Sequence, residues 1–266
     1  MNTSTLSMES QQSNQEDVFR DVTPETRERT KKMLMYFILF AVVMMFAGFT
    51  SGYIVMAAGT YMVHIVPPTA MYVSIALVLL SSLTMYLSVQ SMKRGNKGRS
   101  QFMLALTLVL GIGFSISQYE GWHALSEMGM GFTTYLSESG QELYSGNKLE
   151  DITGKYGSDF WIHKDGAKVQ YLNGEYYAAD DEFHTNPITN TILKQSNLAG
   201  HFLVVLIFVH IAHLLLGLIY IAVNLRRIGK GVINERDHVR LRVNGTYWHF
   251  MGLLWIYLFV FLFVIH

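Results

Sequence analysis

Cysteine is absent from all 266 residues. Its absence excludes a disulfide framework, a thiolate zinc site and a cysteine nucleophile. Charge is scarce as well. Asp, Glu, Lys and Arg make up 15% of the chain and hydrophobic residues half of it, where a soluble domain carries about a quarter charged residues. Twenty basic and twenty acidic side chains leave a formal net charge of zero. No global basic field is therefore present of the kind that captures nucleic acid, and no nucleic-acid partner is expected. Met1 to Lys32 hold no apolar core, so no cleavable signal peptide is expected, and the first apolar run must itself direct insertion. The Ser/Gln/Asn-rich stretch Met1–Gln15 is expected to be disordered.

What the chain does have is long apolar runs. Met33–Ala58, Ala70–Met92, Gln101–Tyr119, Leu198–Leu225 and Gly245–His266 are free of Asp, Glu, Lys and Arg. A bilayer crossing needs roughly 20 apolar residues, because the hydrocarbon core is about 30 Å thick. Backbone amides in hydrocarbon must bond internally, so each run is expected to be helical. The third run is the shortest and is expected to continue through Trp122. The fold class is thus an all-α membrane protein, a bundle of five transmembrane helices. The expected organisation is a cytoplasmic tail (1–32), helices one to three (33–122), a periplasmic insertion (123–197) and helices four and five (198–266).

Basic residues set the orientation. Fifteen of the twenty lie in the N-terminal flank, in the loop after the second run and in the loop after the fourth, while Gly59–Thr69 has none. These three stretches share one side, which is expected to be cytoplasmic. The C-terminus then lies in the periplasm of a bacterial inner (plasma) membrane. The insertion His123–Asn197 carries eleven acidic against five basic residues. Within it, Asp165-Gly166 and Asn173-Gly174 are hairpin dipeptides, because a type I′ turn needs two successive positive φ angles. With Trp161, Tyr171, Tyr176 and Tyr177 as strand-favouring aromatics, Phe160–Ala178 is expected to hold a small β-meander.

Four histidines fall within membrane runs: His201, His210, His213 and His249. Such residues usually face a bundle interior. His210, His213 and Gly217 share one helix face. Two readings compete for them, bis-histidine haem ligation and interhelical hydrogen bonding with Gly217 allowing close approach. Depth favours the second, since His249 lies near the start of its run. Gln118, Tyr119, Glu120 and Trp122 close the third run as a polar anchor or an aromatic belt with a solvated glutamate, the belt being favoured. Tyr247 and Trp248 read as interface anchors and Trp255 as packing. Met33, Met35, Met44, Met45 and Met56 read as flexible packing on the first helix.

These residues together resemble a family. His210-Ile211-Ala212-His213, followed by Gly217, resembles the H-x-x-H-x-x-x-G signature of subunit III of cytochrome c oxidase, a haem-copper oxidase. Tyr247-Trp248-His249-Phe250 with Trp255 resembles its terminal Y-W-H-F motif. Leu110-Gly111, Phe114 and Gln118, then Glu120 and Trp122, resemble its L-G-x-x-F-x-x-x-Q helix end. Phe46, Gly48 and Tyr53 fit the family's first helix more loosely. The resemblance implies the five-helix bacterial form. It implies a non-catalytic subunit of a proton-pumping terminal oxidase of aerobic respiration, which stabilises the catalytic subunit I and holds phospholipid. Haem and copper would sit in partner subunits, and no catalytic, cofactor-binding or metal residue is expected here. The motif residues His210, His213, Gly217, Tyr247, Trp248, His249, Trp255, Gln118 and Glu120 would then be packing and lipid contacts. The acidity and aromatics of the insertion 123–197, which is far longer than the family's usual connection, leave two readings, docking of cytochrome c or another periplasmic subunit and a solvated loop. The alternatives are a subunit III-like partner of a nitric oxide reductase and a haem b membrane anchor. Three departures stand out. The family's buried carboxylate positions fall at Val42 and Gly252, and Glu120 stands one place early.

The orientation has a direct test. A reporter fused after His266 is expected to behave as periplasmic, and cytoplasmic reporter activity at that point would refute the assignment.

Overall fold

The computed structural model describes residues 23–130, 134–136, 142–144, 148–233 and 238–265. The expected disorder of Met1–Gln15 lies outside these residues. Five helices are long and apolar enough to cross a membrane: α1 (Pro24–Ala57), α2 (Thr69–Lys93), α3 (Lys97–Glu127), α4 (Leu198–Gly229) and α5 (Val239–Val260). Each begins earlier or ends later than its apolar run, because a helix continues into water once its amides are paired. α1 starts within the expected tail. Thr23 accepts a hydrogen bond from the Thr26 amide, and Pro24 occupies the first turn, where its missing N–H costs nothing. α3 runs past Trp122 to Glu127. Asn197 caps α4 by accepting from the Gly200 amide. A π-helical turn, Phe261–Ile265, extends α5.

α2 and α3 form the tightest pair, a hairpin joined by three residues. The buried residues of α2 are Met71, Ser74, Val78, Ser81, Met85, Ser88, Ser91 and Met92. All but Ser91 follow alternating steps of three and four, the spacing of a helix–helix seam. Ser100, Leu104, Thr107, Gly111, Phe114, Gln118, Gly121 and Leu125 repeat that spacing on α3. Small hydroxyl residues let the two backbones approach and also bond across the seam. Ser88 Oγ donates to the Ser100 carbonyl at 2.9 Å. Thr84 and Thr107 hydroxyls pair at 2.9 Å. Ser117 Oγ donates to the Ala70 carbonyl at 2.7 Å.

α5 lies in the middle of the bundle and is the most buried span, while α1 is the least buried. α1 is tied at its base by Glu28, which pairs with both Lys32 and Arg242. Higher up, Tyr257 on α5 donates to Thr50 at 3.2 Å. Of the α1 methionines, only Met35 is fully buried and Met45 partly, whereas Met33, Met44 and Met56 point outward. The methionines that fill the interior are Met71, Met85 and Met92 on α2, all at 0% exposure.

The polar insertion folds over one end of the bundle, where the turns match the sequence expectation. Asp165 and Gly166, and Asn173 and Gly174, all have positive φ. They close the hairpins β4 (Phe160–Lys164) with β5 (Ala167–Lys168), and β6 (Gln170–Leu172) with β7 (Glu175–Tyr177). The strands do not run as one meander. β4 pairs instead with β1 (Tyr61–Ile65), which lies in the short α1–α2 connection, and gives a three-stranded sheet ordered β1-β4-β5. β6 and β7 form a sheet of their own, and β2 (Thr134–Leu136) pairs with β3 (Glu142–Tyr144). Lone polar strand edges in a loop are weak, and pairing across the two connections satisfies them. Tyr156 packs among Phe160, Tyr171 and Tyr176 and donates its hydroxyl to the Val169 carbonyl.

The contact of α3 with α4 and α5 at Gly111 yields a mutational expectation. A Cβ at Gly111 would lie 2.7 Å from Leu218 Cδ2 and 2.9 Å from Trp248 Cη2. Leu218 can rotate away, but the indole of Trp248 is pinned by its own hydrogen bond to Ser81. Gly111→Ala should therefore cost about 1–3 kcal/mol, as overpacked cores do. A thermal melt of the purified chain measures it, and an unchanged midpoint would show that this contact with α4 and α5 is loose.

Candidate functional site

The motif residues converge where α3, α4 and α5 meet. Trp248 and Trp255 stand seven residues apart on α5. Ser81 and Ser74 stand seven apart on the antiparallel α2. Trp248 Nε1 donates to Ser81 Oγ and Trp255 Nε1 to Ser74 Oγ, each at 3.1 Å. His249, beside Trp248, pairs through Nδ1 with Ser82 Oγ at 2.5 Å. Gly217 on α4 is the contact point for α5. A Cβ there would lie 3.1 Å from Tyr247 Cε1 and 3.3 Å from Trp248 Cε3. Tyr247 completes the contact by donating its hydroxyl to the backbone carbonyl of His213 at 2.8 Å. The two sequence motifs thus interlock directly.

Several expectations change on this geometry. Tyr247 and Trp248 are buried at 6% and 3% exposure, so they are interior packing residues and not interface anchors. Their side chains carry donors that only neighbouring helices can satisfy in hydrocarbon. His249 is at mid-length of α5 and not near its start, because the helix begins at Val239. Depth therefore does not separate the histidines, but direction does. His249 turns to α2, and His213 lies 6.3 Å from the Phe46 ring of α1. His210 stacks on Trp255 with ring centroids 5.4 Å apart and meets Phe114 edge-on. The expected hydrogen bonding of His210 within the bundle is not found. Both its ring nitrogens are buried with no hydrogen-bond partner among the described residues, as are both polar atoms of Gln118. His213 bonds its own helix through the Val209 carbonyl at 2.8 Å.

The end of α3 divides as the sequence suggests. Tyr119 is 70% exposed and Glu120 is exposed, while Trp122 is half-buried. Gln118 turns inward. The positions of the family carboxylates are interior: Val42 is buried, and a Cβ at Gly252 would rest 3.6 Å from Val78 Cγ1.

One feature had no sequence signal that was read. Between the N-terminal half of α1 and the helices α4 and α5 lies an apolar groove of about 460 Å³. Leu34, Met35 and Ile38 of α1, His213, Leu216 and Tyr220 of α4, and Val243 and Tyr247 of α5 line it. Lys31 and Arg240 also line it, from near the N-terminal ends of α1 and α5. The signal was available in part, because Lys31 and Arg240 flank apolar segments at the basic end of both helices. An apolar slot with a cationic rim suits an acyl chain below an anionic headgroup. No three His, Asp or Glu side chains converge to hold a metal among the described residues.

No model of a known protein family matches this chain.

The packing predicts opposite outcomes for two conservative changes. Tyr247→Phe removes one interhelical hydrogen bond and should cost about 0.6–1.7 kcal/mol. His210→Phe keeps a ring against Trp255 and removes two unpaired nitrogens, so it should cost less than about 0.5 kcal/mol or stabilise. Unfolding in mixed micelles compares them. A larger loss for His210→Phe than for Tyr247→Phe would mean that the imidazole is satisfied after all.

Proposed function

We propose that this chain is subunit III of a haem-copper terminal oxidase, a non-catalytic partner of the oxygen-reducing subunit I in a bacterial inner membrane. The observation that carries the reading is the interlocking of the H-x-x-H-x-x-x-G and Y-W-H-F motifs. They pack on each other through Gly217, Tyr247 and Trp248, with Tyr247 bonded to the His213 backbone. Residues combined by chance would have no reason to meet at one helix crossing. In this reading His210, His213, Gly217, Tyr247, Trp248, His249, Trp255 and Gln118 are the scaffold of the bundle. They leave its outer helices free to meet lipid and subunit I.

The groove between α1, α4 and α5 is where this subunit would hold phospholipid, with Lys31 and Arg240 meeting the headgroup phosphate. The N-terminus would be cytoplasmic, which puts that headgroup in the cytoplasmic leaflet. The acidic insertion would face the periplasm and meet cytochrome c or another subunit there. Haem and copper would belong to partner chains. With Val42 and Gly252 at the carboxylate positions, this chain would carry no proton relay through those two sites and would serve through packing and bound lipid.

The test compares the purified oxidase complex with and without this subunit. The haem spectrum and the initial rate of oxygen reduction should survive its removal, while turnover should inactivate faster and assembly should weaken. Immediate and complete loss of oxygen reduction from an otherwise assembled complex would refute the non-catalytic role. Failure of any haem-copper subunit to copurify would refute the family reading itself.

A further inference from the structure

β1 and β4 alternate between two faces. Tyr61, Val63 and Ile65 on β1 and Phe160 and Ile162 on β4 are buried. Met62, His64, Trp161 and His163 therefore stand together on the opposite, half-exposed face. The antiparallel register sets Met62 directly across from His163, and His64 across from Trp161. His64 and His163 are thus diagonal neighbours, with ring centroids 6.2 Å apart. Met62, His64 and His163 line one cavity of about 720 Å³, bounded by Ala57 and Ala58 at the end of α1 and by Val264. Asp165 also lines it, but one of its carboxylate oxygens already accepts the Gly59 amide at 2.8 Å. Neither imidazole has a hydrogen-bond partner among the described residues.

We propose that Met62, His64 and His163 form a binding site for one copper(I) ion on the extramembrane face of the β1-β4 ladder. The distance argument comes first. A metal–nitrogen bond of about 2.0–2.1 Å places an imidazole centroid about 3.1 Å from the ion. Two rings on a shared ion then lie about 5–6 Å apart, closer to 6 Å as their angle at the metal opens. The 6.2 Å separation here is at the limit reached when the two imidazoles stand on opposite sides of the ion, which suits the near-linear coordination that copper(I) accepts, with the Met62 thioether as a weaker third ligand. The ligand chemistry agrees, because a thioether with two imidazoles is a soft set that selects copper(I) over hard cations. Burial, with His64 and then Lys168 nearby, holds the His163 imidazole below its usual range, which favours the neutral form that a metal needs. Lys168 sits opposite His163 in the ladder, and its ammonium repels a divalent ion twice as strongly as a monovalent one. The site is independent of the oxidase reading, since it uses none of the motif residues.

The experiment titrates the full chain in detergent with copper(I) against a chromophoric copper(I) chelator. One ion per chain should be withdrawn from the chelator. His64→Gln and His163→Gln should each weaken that affinity by about tenfold or more, the usual effect of losing a ligand or its support. Met62→Leu, which keeps an apolar side chain, should weaken it as well. His123→Ala removes an exposed histidine outside the cavity and should leave it unchanged. Absence of copper(I) uptake by the wild-type chain would overturn the proposal. So would affinity unchanged in both histidine variants, or an equal loss in His123→Ala.

Discussion

Two indole N–H groups fix the centre of this protein. Trp248 and Trp255 are almost wholly enclosed, and an enclosed donor in hydrocarbon has no water to fall back on. Each finds a serine hydroxyl on α2. Because both pairs are spaced by seven residues on antiparallel helices, one register satisfies both bonds and a shift by a turn breaks both. That register carries α5 into the cleft of the α2–α3 hairpin. It sets Trp248 against the bare backbone of Gly111 and brings α4 in through Gly217. Ser81 and Ser74 are small enough to accept the bond without holding the helices apart. Their hydroxyls also bond their own helix, to the carbonyls of Val78 and Met71, so each one is oriented before the indole arrives.

Much of this was legible in the sequence. Five uncharged runs of this length read as five helices, because only helices and closed barrels pair every amide in a bilayer and barrel strands are about half as long. The Asp-Gly and Asn-Gly turns were legible for a local reason, since few other dipeptides accept two positive φ angles. The motifs on α4 and α5 could be named, but their burial could not. Tyr247 and Trp248 sit near the edge of an apolar run and look like interface residues until α5 is seen to begin six residues earlier, at Val239. The serine column at Ser74, Ser81 and Ser88 was visible as spacing, yet a serine in an apolar run has no preferred direction until its neighbours are known. Strand β1 was hidden for the same reason. Tyr61–Ile65 alternates too briefly to stand alone and becomes a strand only beside β4.

The looseness of α1 gives the molecule two unequal parts. α2, α3, α4 and α5 supply most of the interior, whereas α1 adds Val42, Phe46 and Tyr53 to it and is tied by an ion-pair cluster at its base. Leu34, Phe37, Phe40 and Met44 are more than half exposed on it. In a bilayer this exposure costs nothing, since lipid tails are as apolar as the side chains they meet. The groove beside Met35 follows from that freedom. A helix with no need to bury its face can stand off from its neighbours far enough for an acyl chain to enter.

The β1-β4 ladder also sets an order of events. Gly59 donates to Asp165, which lies 106 residues further along the chain, and all five residues of β1 pair with β4. At ribosomal speeds of about 5–20 residues per second, the first connection waits roughly 5–20 s for its partner strand to be synthesised. Through that interval its backbone groups must be hydrated or held by something else. α1, α2 and α3 are made before that strand exists, so this sheet is a late clasp. It joins the first connection to the insertion ahead of α4, and it closes only after the chain between them has been delivered to the same side of the membrane.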